Sequence, residues 1–131
     1  IKFYESFGED DHRKKIIPTI IKNYKKNKVT KILSKKLTLN IIHTDDIINA
    51  ILTILNNNIK SGTYCIKNKK NIKIINLINT LNKGLVKKIK VMFGNKSTTF
   101  NYQNCLKILP KWKPNKNLQN KILKAFKNEN S

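Results

Sequence analysis

The residues best equipped for chemistry lie in one short segment, Ile41-Ile42-His43-Thr44-Asp45-Asp46. A histidine beside two carboxylates is the raw material of general acid–base catalysis or of a metal site. The same residues also stand where an apolar run ends and a helical pattern begins. There a histidine closes a strand, and carboxylates cap the next helix and favour its positive end. That structural reading carries more weight, so no catalytic residue and no metal ligand is assigned. Tyr24 and Lys28 form the one other suggestive pair. A lysine close to a tyrosine lowers the phenol pKa and can make it a base, but Tyr24 falls on an apolar stripe and reads as a core or boundary residue. The four glycines, Gly8, Gly62, Gly84 and Gly94, are isolated. None builds the Gly-rich turn that cradles a pyrophosphate at a helix N-terminus. Cys65 and Cys105 have no CxxC or Cys/His companions and read as two reduced structural thiols.

The elements that must position these residues alternate between strand and helix. Lys2 to Phe7 reads as a buried strand that empties into the acidic turn Gly8-Glu9-Asp10-Asp11. Ile16, Ile17, Ile20, Ile21 and Tyr24 fall at helical spacing, with Pro18 in the first turn, where its missing N–H does no harm. Val29 to Leu33 and Leu37 to Ile42 are short apolar runs around the turn Ser34-Lys35-Lys36. Thr44 or Asp45 is expected to cap a helix whose buried stripe is Ile47, Ile48, Ile51, Leu52 and Leu55. Thr63 to Ile66 reads as a strand, and Ile75 to Leu81 as a helix that Gly84 terminates. Lys88 to Phe93 suits an exposed or edge strand, and Tyr102 to Leu109 a short helix. A bend at Trp112-Lys113-Pro114 leads into a last helix carrying Leu118, Ile122, Leu123 and Phe126, with a frayed tail. The class is α/β.

Length allows one small domain with a real core but not two: 131 residues, 39% of them hydrophobic. No apolar run approaches the roughly 18 residues a membrane span needs. The chain opens at Ile1 inside an apparent strand, which suggests a fragment. The net charge of +21 is the footprint of a nucleic-acid binder. Yet of the 28 basic residues only Arg13 is an arginine, and the lysines are spread over the whole chain. Base and phosphate recognition favours arginine, so most of this charge reads as solvated surface. A small basic nucleic-acid-binding module is kept as the alternative function.

Four stretches, in order, resemble one family. Lys2-Phe3-Tyr4-Glu5-Ser6-Phe7-Gly8-Glu9-Asp10-Asp11 is similar to an R-x-x-N-x-Y-G-P-x-D strand and loop, with Ile17-Pro18 like the hydrophobic-Pro pair that follows it. Leu39 to Asp46 is similar to R-D-F-I-H-V-D-D, with Ala50 where that helix usually has Ala. Gly62-Thr63-Tyr64-Cys65-Ile66 resembles G-x-Y-N-I, and Trp112-Lys113-Pro114 resembles a late W-x-P. These are motifs of the C-terminal part of the extended short-chain dehydrogenases, the NAD-dependent nucleotide-sugar epimerases and dehydratases. The acidic loop Gly8 to His12 looks most like the branch that makes CDP- or GDP-linked deoxysugars for surface polysaccharide.

The resemblance implies that residues 1–131 form the last strands of a Rossmann-type parallel sheet plus a small mixed α/β substrate-binding lobe, without the dinucleotide-binding half. It implies a nucleotide-diphosphate sugar as partner, NAD or NADP in the complete protein and none on this chain alone, a cytoplasmic homodimer as the complete form, and no membrane. The Gly-rich loop and the catalytic Tyr-x-x-x-Lys are lacking, so the chain alone should be inactive. Substrate contacts carried over by position are Lys2 for the family's strand arginine and Glu5 for its asparagine. Leu39 stands where an arginine commonly reaches the diphosphate, and a leucine cannot hydrogen-bond a phosphate. Lys35 and Lys36 nearby can act as point charges, and Arg13 is the leading phosphate candidate, since bidentate anion recognition favours arginine. His43, Asp45, Asp46 and Trp112 are structural signature residues in this reading.

Overall fold

The computed structural model describes residues 1–96 and 107–128. Its elements run β1 (Glu5–Phe7), α1 (Ile16–Lys25), β2 (Thr30–Ile32), β3 (Thr38–Leu39), β4 (Ile41–His43), α2 (Thr44–Asn56), β5 (Ile72–Lys73), α3 (Ile74–Lys83), β6 (Val91–Phe93) and α4 (Leu118–Lys127). Two strand pairs are parallel: β1 with β4, Ser6 opposite Ile42, and β2 with β6, Lys31 opposite Met92. A third, β3 with β5, is antiparallel. Parallel pairs need long crossovers, and helices supply them, so the α/β class stands.

The opening strand is shorter than its sequence suggests. Lys2 pairs with Cys65, and only Glu5–Phe7 continues beside β4. Cys65 also pairs with Ile108, so Thr63–Ile66 is extended between two neighbours. The helix expected over Tyr102–Leu109 falls largely outside the described residues; Lys107 to Leu109 is extended, its backbone bonded to Cys65. Cys65 is disulfide-bonded, which corrects the reduced-thiol expectation.

Three amphipathic helices enclose the main core. Ile17, Ile20 and Ile21 of α1, Leu77, Ile78 and Leu81 of α3, and Ile122, Ala125 and Phe126 of α4 meet Phe7, Leu39 and Ile41 from the strands. Tyr24, partly buried at the core's margin, packs edge-on against Phe126 with ring centroids 5.1 Å apart, the core or boundary role its stripe position predicted. Gly84 ends α3 without a left-handed conformation (φ −101°). Its need is for space instead: a Cβ there would lie 2.7 Å from a Leu123 methyl of α4.

A second cluster joins Ile42, Ala50, Tyr64, Ile66, Leu109 and Trp112. Here the expected stripe of α2 is wrong. Ile48, Ile51, Leu52 and Leu55 are exposed, while Asp46 and Ala50 are buried, with Ile47 and Ile54 packed at the cluster's margin. The rotation of α2 is set at its first turn, where Asp46 is held from three sides. An apolar pattern alone does not know about that anchor.

Candidate functional site

The segment His43 to Asp46 is a helix junction. His43, at the end of β4, caps α2: its Nδ1 accepts a hydrogen bond from the Asp45 N–H at 3.1 Å. The Asp46 carboxylate reciprocates, accepting from the His43 N–H at 3.4 Å and from the Asn115 N–H at 2.8 Å. The Trp112 indole N–H donates to the Asp46 carbonyl at 3.0 Å. Asp45 forms an ion pair with Lys121 of α4. The sequence expected Thr44 or Asp45 as the cap; the structure gives His43, reciprocated by Asp46. All four signature residues, His43, Asp45, Asp46 and Trp112, thus join one clasp between α2 and the C-terminal segment, and among the described residues no three His, Cys, Asp or Glu side chains form a metal-binding group.

The electrostatics of the junction agree with a structural role. Burial holds the His43 ring below its ordinary pKa, helped by the Lys121 charge and opposed by Asp45, Asp46 and Glu9. A ring whose Nδ1 accepts a bond is neutral and carries its proton on Nε2, and that nitrogen is buried without a partner among the described residues. The Lys121 hydrogen bond lowers the Asp45 pKa, with burial opposing it. Both groups bind protons more readily in the unfolded chain, so both contributions rise with pH. The His43 contribution is complete above about pH 6.5 and is lost as pH falls through the lower folded value. The Asp45 contribution is complete above about pH 4 and is lost below that; it is the smaller, because its carboxylate is 56% exposed. Thermal unfolding between pH 7 and 3 should therefore show a falling melting temperature, and Asp45→Asn should flatten only the most acidic part. A melting temperature that rises from pH 7 to 5.5 would contradict this sign.

The concave feature among the carried-over positions is an apolar cleft of about 280 Å³ between β1, β2 and the start of α1. Its walls include Ile32, Leu33, Leu37 and Leu39, with Glu5 as its carboxylate and Lys15 and Lys31 as its cations. Asn40 fixes two of these residues. Its carbonyl accepts from the Glu5 N–H at 3.3 Å, and it directly follows Leu39. Its buried side chain is itself held by Asn71 at 2.9 Å and the Asn68 backbone at 3.0 and 2.9 Å. An apolar wall with a carboxylate acceptor and two flanking ammonium groups can seat a ring, accept from hydroxyls and hold a phosphate.

Of the positions singled out in the sequence for substrate contact, the structure brings Glu5 and Leu39 into this cleft. Lys2 has its backbone paired with Tyr64 and Ile66. Lys35 sits over the Phe93 ring at 5.9 Å, and Lys36 is exposed in the turn. Arg13 lines a different cleft, where Nε and one η-nitrogen donate to Asp11 at 2.8 and 2.5 Å and the same η-nitrogen donates to Ser6 at 3.0 Å. Lys15 and Lys31 were not singled out. Each lies beside a motif residue, and only the fold reveals which lysines among so many face the cleft.

Three of this chain's four glycines are taken up by its own packing. Added Cβ atoms at Gly8, Gly84 and Gly94 would meet Thr44, Leu123 and the Leu33 carbonyl within 3 Å. Those close approaches pack the chain against itself, and the N-terminus of α2 is already capped by His43 and Asp46.

No family profile matches the chain. Over 61 residues it is 40% identical to the CDP-abequose synthase of Yersinia pseudotuberculosis, a match spanning 47% of this chain and 21% of that protein. Its fold matches the UDP-glucuronic acid 4-epimerase of Bacillus cereus, solved with UDP-glucuronic acid and NAD (TM-score 0.78, 18% identity, 96% of this chain and 44% of the epimerase). It also matches the UDP-N-acetylglucosamine 4-epimerase of Methanobrevibacter ruminantium (0.75, 15% identity, 96% and 44%). A third match is RMD of Pseudomonas aeruginosa, complexed with NADPH (0.68, 13% identity, 97% and 47%). The chain thus spans about a fifth of the curated relative and less than half of each solved enzyme. In fold and in the order of its motifs, the chain is similar to part of the NAD-dependent nucleotide-sugar epimerases and dehydratases, the extended short-chain dehydrogenases.

Proposed function

We propose that residues 1–131 are the C-terminal, substrate-side part of a nucleotide-sugar epimerase, dehydratase or reductase that uses NAD or NADP. The carrying observation is a fold shared over nearly the whole chain with such enzymes, together with a small apolar cleft along the positions that the motifs mark. The cleft takes a nucleoside-diphosphate sugar: apolar walls seat a ring, Glu5 accepts from hydroxyls, and Lys15 and Lys31 hold the diphosphate in place of an arginine at Leu39. The sequence match to a CDP-abequose synthase favours a CDP-linked deoxysugar. Bound NAD or NADP supplies the hydride chemistry, and a dinucleotide-binding half must provide its site. The chain alone is therefore inactive. The complete enzyme works as a homodimer in the cytoplasm, in polysaccharide biosynthesis.

Calorimetric titration with CDP- and UDP-hexoses tests the reading. We expect saturable binding that Lys15→Gln/Lys31→Gln weakens by about tenfold or more, since a hydrogen bond to a charged group contributes about 1.5–3 kcal/mol. Absence of saturable binding, alongside steeply salt-dependent binding to arbitrary DNA, would instead favour the basic nucleic-acid module.

A further inference from the structure

Beside the apolar cleft, sharing Thr19 of α1, lies a larger cleft of about 670 Å³ between that helix and the acidic loop that follows β1. Its volume is in the range of small-molecule sites. From sequence the loop reads as negative: Glu9, Asp10 and Asp11 in a row. The structure removes most of that charge. Arg13 is committed to Asp11, with its η-nitrogen 2.5 Å from the carboxylate. Lys124, reaching across from α4, pairs with Glu9 at 3.3 Å. Asp10 is the remaining acid of the loop.

The opposite balance holds for the cations. Lys14, Lys22 and Lys26 line the cleft and make no ion pair among the described residues. All three are exposed, so their ammonium groups reach a ligand without first leaving a partner. Phe7, Pro18 and Ile21 supply apolar surface beneath them. Three uncommitted ammonium groups above an apolar floor, with two of three nearby carboxylates neutralised, suit an anion that also carries a ring or other apolar part.

We propose that this cleft binds a phosphorylated small molecule through Lys14, Lys22 and Lys26, at a site beside the apolar cleft that Lys15 and Lys31 flank. The site does not depend on the nucleotide-sugar reading. The chemistry it shares among possible ligands is a polyphosphate. Two sources satisfy it: a nucleotide, whose base rests on the apolar floor, or free inorganic polyphosphate.

The test is calorimetric titration of the 131-residue chain with ATP and with inorganic tripolyphosphate at physiological salt. Lys22→Gln/Lys26→Gln should weaken binding at least tenfold. Lys69→Gln/Lys70→Gln removes the same charge from an exposed loop and should change it less than twofold. Tighter binding of ATP than of tripolyphosphate assigns the cleft to nucleotides, and equal binding assigns it to polyphosphate itself. Equal losses in the two double variants, or no saturable binding of either probe, would overturn the proposal, because the net charge would then be acting without a site. Titration with CDP- and UDP-hexoses against Lys15→Gln/Lys31→Gln reads the apolar cleft, and Lys22→Gln/Lys26→Gln with tripolyphosphate reads this one, so failure of one cleft is distinguishable from failure of the other.

Discussion

Replacing Trp112 with alanine is expected to destabilise the chain by about 3–5 kcal/mol, the usual range for a large buried aromatic. The indole is 6% exposed and packs with Ile42, Ala50, Tyr64, Ile66 and Leu109. It is a bridge as well as a filler. It sits on the C-terminal segment, but its ring belongs to the cluster beneath α2, and its N–H satisfies the Asp46 carbonyl in that helix's first turn. Truncation opens a cavity where little else can move in, because the surrounding residues are pinned by strand pairing at Cys65 and by the α2 cap. Domains of this size are typically stable by about 5–15 kcal/mol, so the variant loses a large share of the total. Its melting temperature should fall by at least about 10 °C. Trp112→Phe keeps most of the packing and leaves one buried carbonyl less satisfied, so it should lie between the two. A Trp112→Ala variant that melts within about 2 °C of the parent would remove the tryptophan from the core.

What could be read from the sequence followed local rules, and what could not depended on contacts distant in the chain. The helices α1, α3 and α4 bury the residues their 3.6-residue pattern picks out, Ile17, Ile20 and Ile21 among them, because each is packed against one common core. Helix α2 broke the same rule. Its sequence offers two apolar faces, and the choice between them was made by Asp46, which bonds Asn115 and Trp112 almost seventy positions away. Ala50 and Ile47 were turned inward, and the larger Ile51, Leu52 and Leu55 outward. The site shows the same division. Glu5 was placed by its motif, whereas Lys15 and Lys31 became visible only once β1, β2 and α1 were brought together. Arg13 stood out by its type, but type carries no information about Asp11 and Ser6, which absorb it. The Cys65 disulfide was missed for a related reason. Rules of compartment and spacing argued for thiols, and the pairing of Cys65 with Lys107–Leu109 lies outside those rules.

Asp46→Ala should cost about 2–3 kcal/mol, and the reason separates a structural carboxylate from a catalytic one. The side chain is 2% exposed and accepts from two backbone N–H groups, those of His43 and Asn115. Removing it leaves two donors in a space where water has poor access, and an unsatisfied buried donor costs about 1–3 kcal/mol. Loss of a helix cap typically costs about 0.5–2 kcal/mol, and here it is part of the same loss. Asp46→Asn offers an internal comparison: the amide oxygen can serve one donor, so it should recover part of the deficit. The decisive measurement couples Asp46 to Trp112. Both hold the C-terminal segment to the first turn of α2, so after one is removed the other has less to hold. The double variant Asp46→Ala/Trp112→Ala should therefore be less destabilised than the sum of the singles, by about 1 kcal/mol or more, as for neighbours in one network. Additivity within about 0.5 kcal/mol would mean that the clasp is two independent contacts. An Asp46→Ala chain that unfolds like the parent would mean that the carboxylate is not held for stability, and would return His43, Asp45 and Asp46 to consideration as a reactive group.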